Sequence, residues 1–160
     1  MKTGMTVPQI TFKYRVRDAS IGGDNPFRWQ DVTTDEIFSN KKVVVFSLPG
    51  AFTPTCSTMQ VPGFEAAYEE LKQNGVDEVY VLSVNDTFVM RKWMLDQNCT
   101  NIKFIPDGNG EFTRQMGMLV EKNNVGFGQR SWRYAMVVDN GVVEHWLEEP
   151  GRKDNNGPDP

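Results

Sequence analysis

The chain has little of what a disulfide framework or a metal site requires, with two cysteines and one histidine among 160 residues. Two cysteines in a chain of this length do not form a disulfide framework. Together with a single histidine, they also give no metal-ligand spacing. We therefore expect a reducing, cytoplasmic setting and neither a metal nor another cofactor.

Long apolar runs are absent as well. Residues 1–8 contain no apolar core of signal-peptide length, and no stretch approaches the length that a membrane span needs. The net charge of −4 argues against nucleic acid and anionic membrane surfaces as partners. We see no repeats, and we expect one domain over residues 1–150. Residues 151–160 are polar and rich in Gly, Pro, Asp and Asn, which predicts a flexible tail.

Strand and helix patterns alternate along the chain. Residues 10–16 alternate apolar and polar, which predicts a half-buried strand in a β-rich N-terminal extension. Apolar runs at residues 41–48 and 79–84 predict strands buried on both faces. Asn140-Gly141 between two apolar runs predicts a terminal hairpin. The order β-β-β-α-β-α-β-α-β-β predicts an α/β fold, a mixed central sheet with helices on both faces.

Cys56 occupies an informative position. A β-branched run at residues 43–46 leads toward it, Thr53 is a suitable N-cap, and Pro54 takes the first helical position. Cys56 is thus expected in the first turn of a helix, which Pro62 must kink. Free backbone N–H groups and the positive end of the helix dipole favour thiolate there. Its neighbours are hydroxyl residues rather than the apolar ones usual around a structural cysteine: Thr53, Thr55, Ser57 and Thr58.

The pattern Pro49-x-x-x-Thr53-x-x-Cys56 resembles the active-site motif of peroxiredoxins, the thiol peroxidases. The whole string over residues 49–56 is similar to the type-5 (type II, atypical) subfamily. The likeness covers residues 5–150 and includes the segments 61–64, 82–86 and 133–138. Residues 105–112 and 126–128 most closely resemble the peroxiredoxin part of bacterial hybrid peroxiredoxin–glutaredoxin proteins, although this chain has no glutaredoxin part.

The resemblance implies a thioredoxin-like fold and reduction of hydrogen peroxide and alkyl hydroperoxides. Cys56 would then be the thiolate that attacks the peroxide and becomes a sulfenic acid. Thr53 would hydrogen-bond the peroxide, and Pro49 would shield the sulfur from water. The residues themselves leave three arginines open as the cation beside the sulfur. Of Arg114, Arg130 and Arg133, the resemblance selects Arg133.

Three departures from the family pattern matter. Gln60 stands where many type-5 members have histidine, so we expect activity to survive with a changed pH profile. Cys99 matches no resolving cysteine of the family, and its interpretation as a structural thiol is favoured. We therefore expect a one-cysteine cycle, in which glutathione and then glutaredoxin, or else thioredoxin, regenerate Cys56. The family's further helix after residue 150 has no counterpart in this sequence.

Three aromatic residues resemble those of the family's homodimer interface: Phe52, Phe88 and Phe127. Ordinary core packing is the alternative interpretation for them. Two other functions also stay open. A thioredoxin-like protein-disulfide oxidoreductase would share the fold, but it normally needs Cys-x-x-Cys, and Ser57-Thr58-Met59 follow Cys56 here. A redox sensor would use the same sulfenic acid with little peroxidase turnover.

Overall fold

The computed structural model describes residues 2–155, and these contain nine strands and four α-helices. The strands are β1 (Thr11–Arg17), β2 (Phe27–Thr33), β3 (Lys42–Ser47), β4 (Glu78–Ser83), β5 (Lys103–Pro106), β6 (Leu119–Glu121), β7 (Gln129–Ser131), β8 (Tyr134–Asp139) and β9 (Val142–Glu148). The helices are α1 (Thr34–Phe38), α2 (Val61–Gln73), α3 (Thr87–Asp96) and α4 (Glu111–Gln115).

A five-stranded mixed sheet forms the centre of the fold, with the strand order β5-β4-β3-β8-β9. Strands β3, β4 and β5 are parallel, whereas β8 runs antiparallel to β3 and pairs with β9 through the predicted hairpin. Strands β1 and β2 form a separate N-terminal hairpin. The sequence predicts the first of these strands and a β-rich extension, but not their pairing. The β6–β7 hairpin was not predicted, because three-residue strands are too short to show a periodic pattern.

Alternate residues of β3 serve two hydrophobic cores. Val43 and Val45 belong to one buried cluster, and Val44 and Phe46 belong to the other. Successive side chains of a strand point to opposite faces, so a strand buried on both sides must be apolar throughout. The first cluster includes residues of α1 and α4, and the second includes residues of α2 and α3. The predicted arrangement of helices on both faces is confirmed.

Side chains cap the N-termini of two helices, α1 and α3. The Thr33 hydroxyl accepts a hydrogen bond from the Glu36 N–H at 3.4 Å, at the start of α1. The Asp86 carboxylate accepts one from the Val89 N–H at 3.0 Å, at the start of α3. Such caps satisfy backbone donors that have no partner within the helix. None of the helices described within residues 2–155 is long and apolar enough to cross a membrane.

The two cysteines lie at opposite ends of the parallel strands of the central sheet. Cys56 follows the carboxyl end of β3, whereas Cys99 precedes the amino end of β5. Because β3, β4 and β5 are parallel, their carboxyl ends lie together on one side of the sheet and their amino ends on the opposite side. Both cysteines are free thiols. This placement does not bring Cys99 to the Cys56 loop.

The predicted tail over residues 151–160 is described only as far as residue 155. Within that part, the Asp154 carboxylate accepts a hydrogen bond from the Glu121 N–H at 2.9 Å. The Asn155 side chain accepts another from the Asn124 N–H at 3.0 Å. The structure thus places residues 154–155 against β6 and the turn that follows it. Residues 156–160, where the prediction of flexibility also falls, lie outside the described part of the chain.

Glu65 of α2 anchors the loop that carries Cys99. One oxygen of its carboxylate accepts hydrogen bonds from three consecutive N–H groups, at 2.7, 2.9 and 3.4 Å, from residues 100–102. Burial acts to raise the pKa of Glu65, but these hydrogen bonds outweigh it and hold the pKa below its ordinary value. Burial, and then the Glu65 charge, raise the pKa of Cys99 to about 11. Cys99 is therefore a thiol at neutral pH.

We expect Glu65→Gln to lower the free energy of unfolding by about 1–2 kcal/mol at neutral pH, because hydrogen bonds to a charged acceptor are replaced by weaker ones. A carboxyl whose pKa is depressed in the folded state stabilises it above the unfolded-state pKa. That stabilisation is lost as the pH falls through the folded-state pKa. The difference from the wild type should therefore shrink in acid. Urea denaturation at neutral and acidic pH measures it.

The matched control for this prediction is Glu69→Gln, one turn further along α2, where the side chain is exposed. It should leave the free energy of unfolding within about 0.5 kcal/mol of the wild type. An equal loss for Glu65→Gln at both pH values would show that the carboxylate charge is not what anchors the loop.

Candidate active site

The strand register brings the candidate catalytic residues together at one end of the central strands. Ser47, the last residue of β3, pairs with Tyr134, the first residue of the antiparallel strand β8. The loop that follows β3 and the residues that precede β8 therefore meet at the same end of the sheet. Tyr134 also pairs with Glu148 at the end of β9. Segments that are distant in sequence converge next to Cys56 for this reason.

A sharp turn leads from β3 to Cys56. Phe52 adopts a left-handed backbone conformation, with φ 62°, which is uncommon for a bulky residue. The Thr53 hydroxyl donates to the Gly50 carbonyl at 2.6 Å, and the Ser57 N–H donates to the Thr53 carbonyl at 2.9 Å. Thr53 takes the predicted N-cap position, because Pro54 begins the helical turn and the Thr53 carbonyl accepts the Ser57 hydrogen bond, but its hydroxyl turns back to Gly50. Thr53 is buried, as is Cys56, which follows it three positions later in the chain.

Asn85 ties this turn to the neighbouring strand. Its side-chain oxygen accepts a hydrogen bond from the Ala51 N–H at 3.0 Å and another from the Ser83 hydroxyl at 2.6 Å. Ser83 is the last residue of β4, which lies beside β3 in the sheet. The turn is thus fixed to the rigid sheet on the side of β4 as well as through β3.

Cys56 is the first residue of a π-helical turn, Cys56–Gln60, that runs directly into α2. The Val61 N–H donates to the Cys56 carbonyl across this widened turn. The sequence predicts a disturbance of the helix here, because Pro62 has no N–H. The structure accommodates Pro62 by the π-helical turn, a feature that is frequent at functional sites. Cys56 itself is fully buried.

Arg133 contacts the Cys56 sulfur. Its Nη2 atom lies 3.6 Å from Sγ, its Nε donates to the Gln60 side-chain oxygen at 2.8 Å, and its Nη1 lies 3.3 Å from a Glu149 carboxylate oxygen. The Arg133 side chain is only 13% exposed. Three partners in different directions leave the planar guanidinium little freedom, and burial reduces the screening of its charge.

Arg130 is a second cation near the sulfur. Its Nη1 atom donates to the Pro49 carbonyl at 3.0 Å, and the guanidinium lies 4.9 Å from the centre of the Phe127 ring. Burial lowers the pKa of Arg130, and the Cys56 sulfur acts in the opposite direction. A Cβ atom on Gly50 would collide with Nη1, so a larger residue there would displace the Arg130 guanidinium.

The remaining predicted residues are placed as follows. Pro49 is buried at the end of β3 and meets Arg130 through its carbonyl. Arg114, the other arginine that the sequence leaves open, is exposed on α4. Phe52 and Phe88 are about half exposed, at 50% and 54%. His145 lies exposed on β9 and takes no part in the site.

Sequence reasoning gave no role to several supporting residues. The Trp93 indole N–H donates to the Ser57 hydroxyl at 2.9 Å, so α3 braces the π-helical turn from below. Glu149 and Asn85 also contact residues distant in sequence. Asn85 falls in segment 82–86 of the family resemblance, whereas no local pattern identifies Glu149. Gln60 did carry a signal, since it departs from the family's histidine, and the structure makes it a partner of Arg133.

The chain matches the family model described as Redoxin over residues 2–157. It is 63% identical over 154 residues to a peroxiredoxin of Rhizobium etli, covering 96% of this chain and 86% of that protein. It is 56% identical over 147 residues to the hybrid peroxiredoxin hyPrx5 of Haemophilus influenzae, covering 92% of this chain and 57% of that protein.

Solved structures of peroxiredoxins are also similar to this chain. The Plasmodium falciparum antioxidant protein, a 1-Cys peroxiredoxin, superimposes with a TM-score of 0.89 at 37% identity, covering 98% of this chain and 90% of that chain. Reduced Prx3 of Vibrio vulnificus in complex with hydrogen peroxide superimposes with a TM-score of 0.82 at 37% identity. This match covers 96% of this chain and 88% of that chain. The fold is thioredoxin-like, and the chain belongs to the peroxiredoxin family of thiol-dependent peroxidases.

Proposed function

We propose that the protein reduces hydrogen peroxide and alkyl hydroperoxides in the cytoplasm, with Cys56 as the attacking nucleophile. The observation that carries this proposal is the 3.6 Å contact between Arg133 Nη2 and the fully buried Cys56 Sγ. The Arg133 guanidinium, held beside the sulfur, stabilises negative charge on it during the reaction, and the thiolate is the form of cysteine that attacks a peroxide.

The reaction begins with attack of the Cys56 thiolate on the terminal peroxide oxygen. The sulfur–oxygen bond forms as the O–O bond breaks, so the sulfur is oxidised by two electrons and becomes a sulfenic acid. The other oxygen leaves with the bonding pair, takes up a proton, and departs as water or as an alcohol. Negative charge spreads from sulfur to the leaving oxygen during this step, and donors placed along that line stabilise the transition state.

Each predicted site residue has a role in this step. The Thr53 hydroxyl already gives its proton to the Gly50 carbonyl, so its lone pairs are directed to accept the peroxide O–H. Arg133 offers its donors to both the sulfur and the peroxide oxygens. Pro49 shields the sulfur, and Arg130 holds the Pro49 carbonyl in place. Gln60 and Glu149 position Arg133.

We infer a one-cysteine cycle for the return to the thiol. Cys99 lies at the opposite edge of the sheet and is a neutral thiol at neutral pH, which makes it a poor resolving group. Glutathione would displace water from the sulfenic acid and leave a mixed disulfide, which glutaredoxin then reduces. The similarity to a hybrid peroxiredoxin supports glutaredoxin over thioredoxin. Because Cys56 is buried, the π-helical turn must open to admit the second thiol.

We also propose that the protein is a homodimer joined near the Cys56 turn. Phe52 and Phe88 are half exposed there, and the Phe88 ring meets Trp29 edge-on at 5.6 Å between ring centres. Large exposed aromatic residues that lie together are typical of interfaces. Phe127, which is only partly exposed, packs under Arg130 and would lie at the edge of this surface.

We expect Arg133→Ala to slow peroxide consumption about 100- to 1,000-fold, because it removes the cation that stabilises the developing charge. Stopped-flow measurement of hydrogen peroxide and an alkyl hydroperoxide against reduced protein tests this. Arg114→Ala, which removes an exposed arginine, is the matched control and should react like the wild type. Cys56→Ser should abolish the reaction. A wild-type protein that consumes peroxide no faster than free cysteine would instead favour a redox sensor.

For the cycle, we expect mass spectrometry of peroxide-treated protein with glutathione to show one glutathione on Cys56. Turnover should be faster with glutathione and glutaredoxin than with thioredoxin and its reductase. Cys99→Ser should leave both results unchanged, because Cys99 does not take part. An internal disulfide between Cys56 and Cys99 would refute the one-cysteine cycle.

For the dimer, we expect sedimentation analysis to show a dimer that Phe88→Asp weakens, since a charge would be buried in an apolar contact. Val142→Asp is the matched control, because Val142 is 42% exposed at the start of β9, at the opposite end of the strand from the residues that meet at the Cys56 turn. A wild-type protein that stays monomeric at high concentration would rule the interface out.

A further inference from the structure

A groove of about 580 Å³ lies between the N-terminal hairpin and the edge of the central sheet. Strands β1 and β2 form one wall, and β5 with α3 forms the other. It shares no lining residue with the Cys56 turn. Its floor is made of aromatic and aliphatic side chains from four elements: Tyr14, Tyr80, Met94, Ile102 and Phe104.

The floor is fixed by direct contacts across the groove. The Tyr14 hydroxyl donates to the Phe104 carbonyl at 2.6 Å, and the two rings stack with their centres 5.5 Å apart. Tyr80, Met94 and Ile102 are buried in the cores beneath. The apolar base is therefore preformed, as is usual for small-molecule sites.

The charged residues that line the groove, here called its rim, are mostly cationic. They are Arg15, Arg17, Arg91 and Lys103, with one acidic residue, Glu36. This positive surface belongs to a chain whose net charge is −4. Positive charge is thus concentrated around an apolar floor, which attracts and orients an anion.

Most of these cations have no acidic partner. Lys103 pairs with Glu78 at 3.0 Å, but in the described part of the chain Arg15, Arg17 and Arg91 form no ion pair with a carboxylate. Arg15 and Arg91 lie instead over aromatic rings, at 5.3 and 4.6 Å from the ring centres. Guanidinium groups held in this way keep donors available for a carboxylate.

We propose that this groove binds a long-chain carboxylate, a small molecule with an apolar tail and one anionic head. The tail lies on the floor and removes apolar surface from water, while the carboxylate meets the guanidinium groups of the rim. A compact anion without a tail would leave the floor empty, and a cation with the same tail would meet like charge. The site is separate from the peroxidase site and does not depend on it.

Isothermal titration calorimetry of the full chain with three probes below their micelle concentrations tests the proposal. The probes are decanoate, decyltrimethylammonium and acetate, which vary the head and the tail one at a time. Decanoate should bind at least about tenfold more tightly than either other probe, and its affinity should fall as salt is added. Equal binding of the two ten-carbon probes would overturn the proposal, as would binding of decanoate no tighter than that of acetate.

The double variant Arg17→Gln, Arg91→Gln should weaken decanoate binding about tenfold, because it removes two partners of the carboxylate. The matched control is Lys72→Gln, Lys92→Gln, which removes two exposed cations outside the groove and should leave binding unchanged. Thermal unfolding checks that both variants fold. Equal decanoate affinities of the two folded variants would refute the assignment of the rim. If the first variant fails to fold, the comparison of probes on the wild type decides the proposal.

Discussion

The contact between Arg133 and Cys56 is the interaction on which the arrangement of the site depends. It joins side chains 77 positions apart in the sequence, at a fully buried sulfur. A charged sulfur in such a position requires a cation close by, because burial removes the solvation that would otherwise support the charge. Gln60 and Glu149 hold the Arg133 guanidinium at this point, and Arg130 adds a second positive charge on the Pro49 side.

The central sheet is the device that makes this contact possible. Because β8 is antiparallel to β3, the start of β8 lies beside the end of β3, and the hairpin with β9 brings Glu149 back to the same edge. The two hydrophobic clusters hold the strands from both faces, and Asn85 fastens the Cys56 turn to β4. The parallel strands also separate the cysteines, since Cys99 precedes the amino end of β5 and Cys56 follows the carboxyl end of β3. One topology therefore assembles the site and isolates the second thiol.

The distribution of charge divides the molecule into two kinds of site. At the Cys56 turn, buried guanidinium groups are each engaged by oxygen atoms of the protein, which suits a small and transient substrate. Around the groove beside β1, the guanidinium groups are more exposed and have no carboxylate partners within residues 2–155. The same side chain thus has its geometry fixed at the proposed catalytic site and keeps donors free at the proposed anion site.

Much of the fold could be read from local patterns. The alternation of residues 10–16, the apolar runs that became β3 and β4, and the Asn140-Gly141 turn are recorded in neighbouring residues, because strand burial and turn geometry are local constraints. The position of Cys56 after a strand, with Thr53 and Pro49 before it, was available in the same way. The three-residue strands were not, because they are too short to show a period. The turned-back Thr53 hydroxyl and the π-helical turn were not, since each arises from competition between backbone partners.

The choice among Arg114, Arg130 and Arg133 illustrates the remaining division. Residue types alone left all three arginines open, and resemblance to the family selected Arg133. Only the register between β3, β8 and β9 set Arg133 against the sulfur and Arg130 against Pro49, while Arg114 lies exposed on α4. A chain's composition and short-range pattern determine which groups exist and which elements they enter. Which of these groups meet depends on how the strands pair, because contacts across a sheet join residues that no local pattern relates.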